Sequence, residues 1–371
     1  MPGQTVAIVL ALLEILVVET VVTDSKPTPS PRNDRPIVMG FATEGARKAE
    51  LPWSILTDVV CFSVELEEKG GIHNGCGWPW TELVKKADQN DVRTSLCVSA
   101  SKMRFIEPLV AKEDHRATFF EKVVEMMRKG GVIGLSIDFE DLESTGWIHH
   151  MPDFMKALTR HVHKAIPGSF VTVCTPPHSQ GGIWDFDALS RSCDAIFIMG
   201  YDYHGAWSKR AGPSAPLTGQ GMNLTQALQG PYGKVVRDNP QKIILGMPLY
   251  GNEWITSSDS PKARMIKHVG TIAIRNIQRD ESKWKSHWSA ESQCPYWTFR
   301  KEGSERMIWG ENSRSIGLKV DLAMRHHLRG VGVWRLGFAG PHNDVWKTIH
   351  KAVAGGRPPE NEGHSSSENH E

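Results

Sequence analysis

Residues 134–140 read Gly134-Leu135-Ser136-Ile137-Asp138-Phe139-Glu140, an apolar run that ends in two acids. The pattern is that of a buried strand. Side chains alternate across a strand, so Ser136, Asp138 and Glu140 share one face while Ile137 and Phe139 point to the other. Neighbours on one face lie roughly 6.5–7 Å apart along the strand, close enough to act around one substrate group. Two acids at the end of an apolar strand are costly unless something uses them. Chemistry is therefore expected here.

Seven further runs of the same kind flank this one: Ile37–Phe41, Val59–Val64, Thr94–Val98, Val171–Cys174, Ala195–Met199, Ile243–Met247 and Gly332–Trp334. Amphipathic stretches fall between them. His115–Lys129 places Phe119, Val123, Val124 and Met127 at helical spacing, and Pro152–Ala165 and Ser315–His327 behave alike. Strand–helix alternation repeated eight times predicts an α/β fold, a parallel sheet closed into a (β/α)8 TIM barrel over residues 36–354. An open doubly wound sheet is disfavoured because no glycine-rich phosphate fingerprint follows the first strand. The rhythm breaks once, between Gly251 and Gly310, an interval too long for a loop. It contains Trp254, Trp284, Trp288, Tyr296, Trp297 and Trp309. A small insertion over about 252–310, beside the barrel mouth, is expected, with its Trp residues forming its own core.

The 371-residue chain is 40% hydrophobic and 23% charged, the balance of a globular protein with a sizeable core. A net charge of +1 provides no basic field, so nucleic acid is not an expected partner. Residues 5–22 are apolar and resemble the core of a signal peptide, which predicts cleavage near residue 23 and a secreted or lumenal protein. Glu14 and Glu19 make the run poor for spanning, so stable membrane association is not expected. A Pro-rich linker over 24–35 and a disordered low-complexity tail over 355–371 complete the domain reading. Cys61, Cys97 and Cys174 lie in strand-like runs and read as buried thiols, whereas Cys76 and Cys294 fall in loop-like sequence and are open to pairing. Asn223-Leu224-Thr225 is a glycosylation sequon. His149-His150 and His326-His327 lack acids at ligand spacing and read as surface; no metal or cofactor is expected.

Catalytic groups of such barrels stand at the C-terminal ends of the strands. The fourth strand ends in Asp138 and Glu140, the sixth in Met199-Gly200-Tyr201-Asp202, the seventh runs into Gly246-Met247-Pro248-Leu249-Tyr250-Gly251, and the eighth carries Trp334. In this order the chain resembles glycoside hydrolase family 18, the chitinase and chitobiase-like barrels, from Pro36 to about Ala354. The family's fourth-strand motif D-G-x-D-x-D-x-E is met at Gly134, Asp138 and Glu140, but Ile133 and Ser136 stand where it has acids. Its M-x-Y-D is met by Met199, Tyr201 and Asp202, its G-x-P-x-Y-G by Gly246 to Gly251, and its cleft-floor Trp by Trp334. Its third-strand S-x-G-G is poorly met by Ser99-Ala100-Ser101-Lys102.

The resemblance implies a retaining hydrolysis of β-1,4 bonds next to N-acetylglucosamine in which the substrate's acetamido group is the nucleophile. It assigns Glu140 as proton donor, with Asp138 bonding the acetamido N–H and Tyr201 orienting its oxygen as the other catalytic groups. Trp334, Asp202, Tyr250 and Ser136 are implied on the substrate-binding side. The partner implied is an N-acetylglucosamine-containing oligosaccharide or polysaccharide. At Ser136 a hydroxyl can donate to Asp138 but cannot take up its charge, which predicts an altered pH dependence. Residue by residue, blander roles compete. Asp138 and Glu140 could bind an Arg across the barrel, Tyr201 and Tyr250 could be core aromatics, and Trp334 could be barrel filling. At the level of function, a lectin that has lost turnover and a peptidoglycan-directed hydrolase are the alternatives.

Overall fold

The computed structural model describes residues 35–140, 146–179 and 184–355. The segment 1–23 read as a signal peptide lies outside the described residues, as do all but the end residue of the linker and of the tail. In chain order the first strands are β1 (Ile37–Ala42), β2 (Asp58–Leu66), β3 (Ile72–His73), β4 (Arg93–Ala100), β5 (Gly134–Phe139), β6 (Phe170–Thr175), β7 (Ala195–Ile198) and β8 (Ile243–Pro248). An inserted group follows: β9 (Tyr250–Thr256), β10 (Met265–Ala273), β11 (Lys285–Ser289), β12 (Cys294–Lys301) and β13 (Ser304–Trp309). The last is β14 (Gly330–Trp334). The hydrogen-bonded order β1-β14-β8-β7-β6-β5-β4-β2 closes through β1–β2, and every pair in that ring is parallel. This is the eight-stranded barrel expected from the alternation. The short β3, antiparallel on β2, is an addition that the sequence did not announce.

Local chemistry shows why the elements form where they do. The helix Glu113–Gly130 opens with Glu113 and Asp114, closes with Arg128 and Lys129, and ends at Gly131 with φ 66°. The charges complement the helix dipole, and glycine supplies the left-handed cap. Its Phe119, Phe120, Val123, Val124 and Met127 are buried, as the helical spacing required. Immediately afterwards β5 begins at Gly134, where a Cβ would stand 1.9 Å from Ser95 Oγ on β4, so the strands can meet this closely only at glycine.

Each barrel strand buries two faces. Val59, Leu96, Ile137 and Val331 pack outward beneath the helices. Met39, Phe41, Cys97, Cys174, Phe197 and Ile244 fill the barrel. Trp334, Phe62, Met199 and Tyr201 close the top of that inner cluster, half-buried.

The insertion is a five-stranded antiparallel sheet, ordered β10-β9-β13-β12-β11, that begins at Tyr250. Trp254, Trp297 and Trp309 are buried, and Tyr296 stacks on Trp309 at 4.5 Å. The aromatic residues do form the core of the insertion. A polar pin fastens it to the barrel. Lys319, on the helix Ser313–Arg325, donates to Glu311 Oε2 at 2.8 Å and lies 3.6 Å from Cys294 Sγ on β12, with all three fully buried.

Two expectations change at this level. Cys294 is not in a loop but opens β12, and all six cysteines, Cys76 among them, are free thiols. Asn223 is 3% exposed and caps the helix Leu224–Gln229, its Oδ1 accepting from Gln226 N and its Nδ2 donating to Gly219 O and Gly221 O. The sequon nitrogen is thus committed to the fold, so the folded chain offers no acceptor there.

Candidate active site

The two acids of β5 emerge as expected on one face, at the C-terminal end of the barrel, but in opposite environments. Asp138 is 4% exposed, whereas Glu140 is exposed and is anchored by its backbone N–H to Ala100 O at 2.8 Å. Both line a cleft of about 240 Å³ whose wall comes from the ends of β2 and β4 and the residues after them, including Phe62, Glu65, Ser99 and Lys102. Burial pushes the Asp138 carboxyl up to about 7, the Glu140 charge adds to this, and a hydrogen bond from Cys174 pulls it partly back. Among the described residues Asp138 Oδ1 has no hydrogen-bond partner, and it is buried. No ion pair among the described residues involves Asp138. A buried carboxyl with one bare oxygen at a cleft is poised to accept from something that enters.

On the opposite side of the barrel mouth, Tyr201 and Trp334 stand over the inner cluster. Trp334 meets Phe62 edge-on at 4.7 Å and Phe41 at 5.7 Å, and is half-buried against the inner cluster. Burial holds the Tyr201 phenol well above its ordinary value, so it is a neutral donor throughout the physiological range. Asp202, at φ 60°, accepts from Tyr250 Oη and Ser214 Oγ, and its own N–H donates to Ser214 Oγ at 3.1 Å. Desolvation raises its carboxyl while those two donors pull it back.

Two residues are placed differently from expectation. Tyr250 is 5% exposed and spends its hydroxyl on Asp202, so it orients that carboxyl instead of facing the cleft. Ser136 is fully buried, one layer below Asp138, and cannot touch a substrate. Its hydroxyl lies 3.7 Å from Cys174 Sγ, and no bond links it to Asp138. The strand period explains this: a residue two positions back points the same way but sits a full repeat deeper. His204 donates its Nδ1–H to Pro213 O, 3.0 Å away, and is thereby tied into its own loop.

Trp207 was passed over in the sequence, where it falls in a polar loop. It is 68% exposed, on the segment that leaves β7 at the catalytic face, with its ring lying against Gly205. A flat indole held open to solvent is a platform of the kind that sugar rings stack on. Among the described residues no group of three His, Cys, Asp or Glu side chains could hold a metal ion, and no helix is long and apolar enough to cross a membrane.

Comparison with known proteins gives this geometry a context. The model of the family Glycosyl hydrolases family 18 matches residues 37–339. Di-N-acetylchitobiase of Rattus norvegicus is 26% identical over 245 residues, covering 59% of this chain and 64% of the rat protein. Di-N-acetylchitobiase of Homo sapiens is 24% identical over 347 residues, covering 83% of this chain and 81% of the human one. The chain thus spans less than two thirds of the length of some curated relatives it matches. Among solved structures, a family 18 chitinase from Cycas revoluta in complex with (GlcNAc)3 superposes with a TM-score of 0.72 at 17% identity, covering 86% of this chain and 99% of the other. That likeness is one of fold.

Proposed function

The chain belongs to glycosyl hydrolases family 18, and from that premise we propose that it hydrolyses β-1,4 bonds next to N-acetylglucosamine, in chitin-type oligosaccharides, by a retaining, substrate-assisted route. The observation that carries this reading is the asymmetry of β5: a solvent-facing Glu140 beside a buried Asp138 with one unbonded oxygen, both on one cleft. The open carboxyl suits proton transfer to a departing sugar oxygen and, in the second step, from water. The buried one suits a fixed contact to the acetamido N–H, made through its bare oxygen. As the acetamido carbonyl oxygen attacks the anomeric carbon, the ring gains positive charge and the Asp138 carboxylate, held in a low-dielectric site, offsets it. Tyr201, kept neutral by burial, donates to the acetamido oxygen. Trp334 forms the floor under the sugar ring.

Chitotriose hydrolysis followed by proton NMR tests this. The β-anomer should be released first, and the fully de-N-acetylated trimer, which lacks the nucleophile, should not be cleaved. Release of the α-anomer, or equal cleavage of the two substrates, would refute the route. Binding of chitotriose without any cleavage would favour a lectin, a reading that the neutral Ser136 supports. Trp334→Ala should raise KM about ten- to hundredfold with a smaller change in kcat, since removing one buried aromatic contact costs about 1.5–3 kcal/mol. Initial rates over a range of trisaccharide concentrations measure it, and an unchanged KM would return Trp334 to the core.

A further inference from the structure

The acid that the family motif places two residues before Asp138 is missing, and Ser136 does not reach Asp138 in its stead. What does reach it comes from the neighbouring strand. β5 and β6 run parallel in the register Ser136 with Thr172 and Ile137 with Val173. The next step along that register sets Asp138 beside Cys174. On its other side Asp138 pairs with Ser99 of β4, but the Ser99 hydroxyl is engaged across to β2, 2.7 Å from Ser63 Oγ. The Cys174 thiol, 2% exposed inside the barrel, lies 3.7 Å from Ser136 Oγ and lowers the Asp138 carboxyl against the rise that burial imposes. The polarity of the chain follows from the groups. A carboxylate only accepts, so S–H donates to it, which leaves the sulfur to accept from the Ser136 hydroxyl.

We propose that Cys174 is the positioning residue of Asp138: its S–H holds one carboxylate oxygen, its sulfur is held by Ser136, and this neutral relay replaces the missing acid. The proposal rests on the role given to Asp138 above. Its surroundings support it. Besides Cys174, the titratable groups facing Asp138 are Cys97 from β4, Glu140 on its own strand and Tyr201 after β7, with Glu65 and Lys102 further out in the cleft. Burial keeps both thiols and the phenol neutral. Among the described residues no cation of the barrel interior steadies the carboxylate, and no second acid stands below it to share its proton. The thiol favours the ionised form of Asp138, so its loss should make that form harder to reach.

Two measurements test the relay. In the pH–rate profile of chitotriose hydrolysis, Cys174→Ala should move the acid limb to higher pH by about half to one unit. At a fixed pH below the limb, kcat then falls about three- to tenfold. KM should stay within about twofold, and Cys174→Ser, which restores a donor, should bring the limb back. Superimposable limbs for wild type and Cys174→Ala would overturn the proposal. The second readout needs no turnover. The S–H stretching band of Cys174, isolated as the infrared difference between wild type and Cys174→Ala, should shift as Asp138 titrates and lose that shift in Asp138→Asn. If the alanine variant fails to fold, the difference against Cys174→Ser isolates the same band. A band indifferent to both pH and Asp138→Asn would sink the relay even in an active enzyme. A responsive band in a protein without turnover would sustain the relay while refuting the hydrolase reading.

Discussion

Glu140→Gln should lower kcat on chitotriose by about a hundred- to ten-thousandfold, the range that a positioned general acid–base contributes, while the affinity for the trisaccharide stays within about threefold. The amide is isosteric with the carboxyl and can still donate a hydrogen bond, but it has no proton to give to the leaving oxygen and cannot later take one from water. Glu140 is well placed for so clean a separation. It is exposed at the tip of β5, and its fixed point is a backbone hydrogen bond to Ala100 O that the substitution leaves intact. Calorimetric titration of the trisaccharide into the variant, beside single-turnover rates for both proteins, separates binding from chemistry. A variant that retains a tenth or more of wild-type kcat would remove Glu140 from the role of proton donor.

The barrel was legible because a strand of a parallel barrel is buried on both faces. Runs such as Val59–Val64 and Ile243–Met247 are almost wholly apolar and rich in β-branched residues, and eight of them in alternation with helices admit few folds. The inserted sheet was not legible as a sheet. Its outer strand, Met265–Ala273, is mostly half-exposed or exposed and carries Lys267 and His268, so no apolar run marks it. Ambiguity of this kind also hid parts of the site. Asp138 and Glu140 announced themselves because charge at the end of an apolar strand needs a reason. Cys174 sits in an apolar run whose inward and outward residues look alike, and its contact with Ser136 spans 38 residues of sequence. Only the register between β5 and β6 assigns it. Tyr250 and Asn223 show the converse. Each matches a recognisable pattern, yet its polar atoms are consumed by bonds to Asp202 and to the Gly219–Gly221 turn.

Asp138→Asn should stabilise the protein at pH 8 and leave it unchanged at pH 4. The ordinary carboxyl value of 3.8 holds for the unfolded chain, whereas in the fold Asp138 is raised to about 7, by burial first and by Glu140 second. Below 3.8 both states carry the proton and no difference arises. As the pH climbs toward 7 the unfolded chain is ionised while the folded one keeps its proton, so the unfolded state binds fewer protons and the native state loses stability. Once the folded carboxyl ionises as well, the loss is complete, on the order of 4 kcal/mol for a shift of about three units. Asparagine cannot ionise and escapes this cost. The difference in melting temperature between variant and wild type should therefore grow steadily between pH 4 and pH 7 and then level off. A carboxylate serving as a structural anchor would behave in the opposite way, since its removal would destabilise the protein most above pH 4. The same variant should lose activity, because the bare oxygen that makes Asp138 costly to bury is the one proposed to meet the substrate. Introducing Glu140→Gln alongside should shrink the gain, since the charge on Glu140 is part of what raises Asp138. Parallel pH profiles of stability for wild type and Asp138→Asn would show that Asp138 is not the strained acid the site requires.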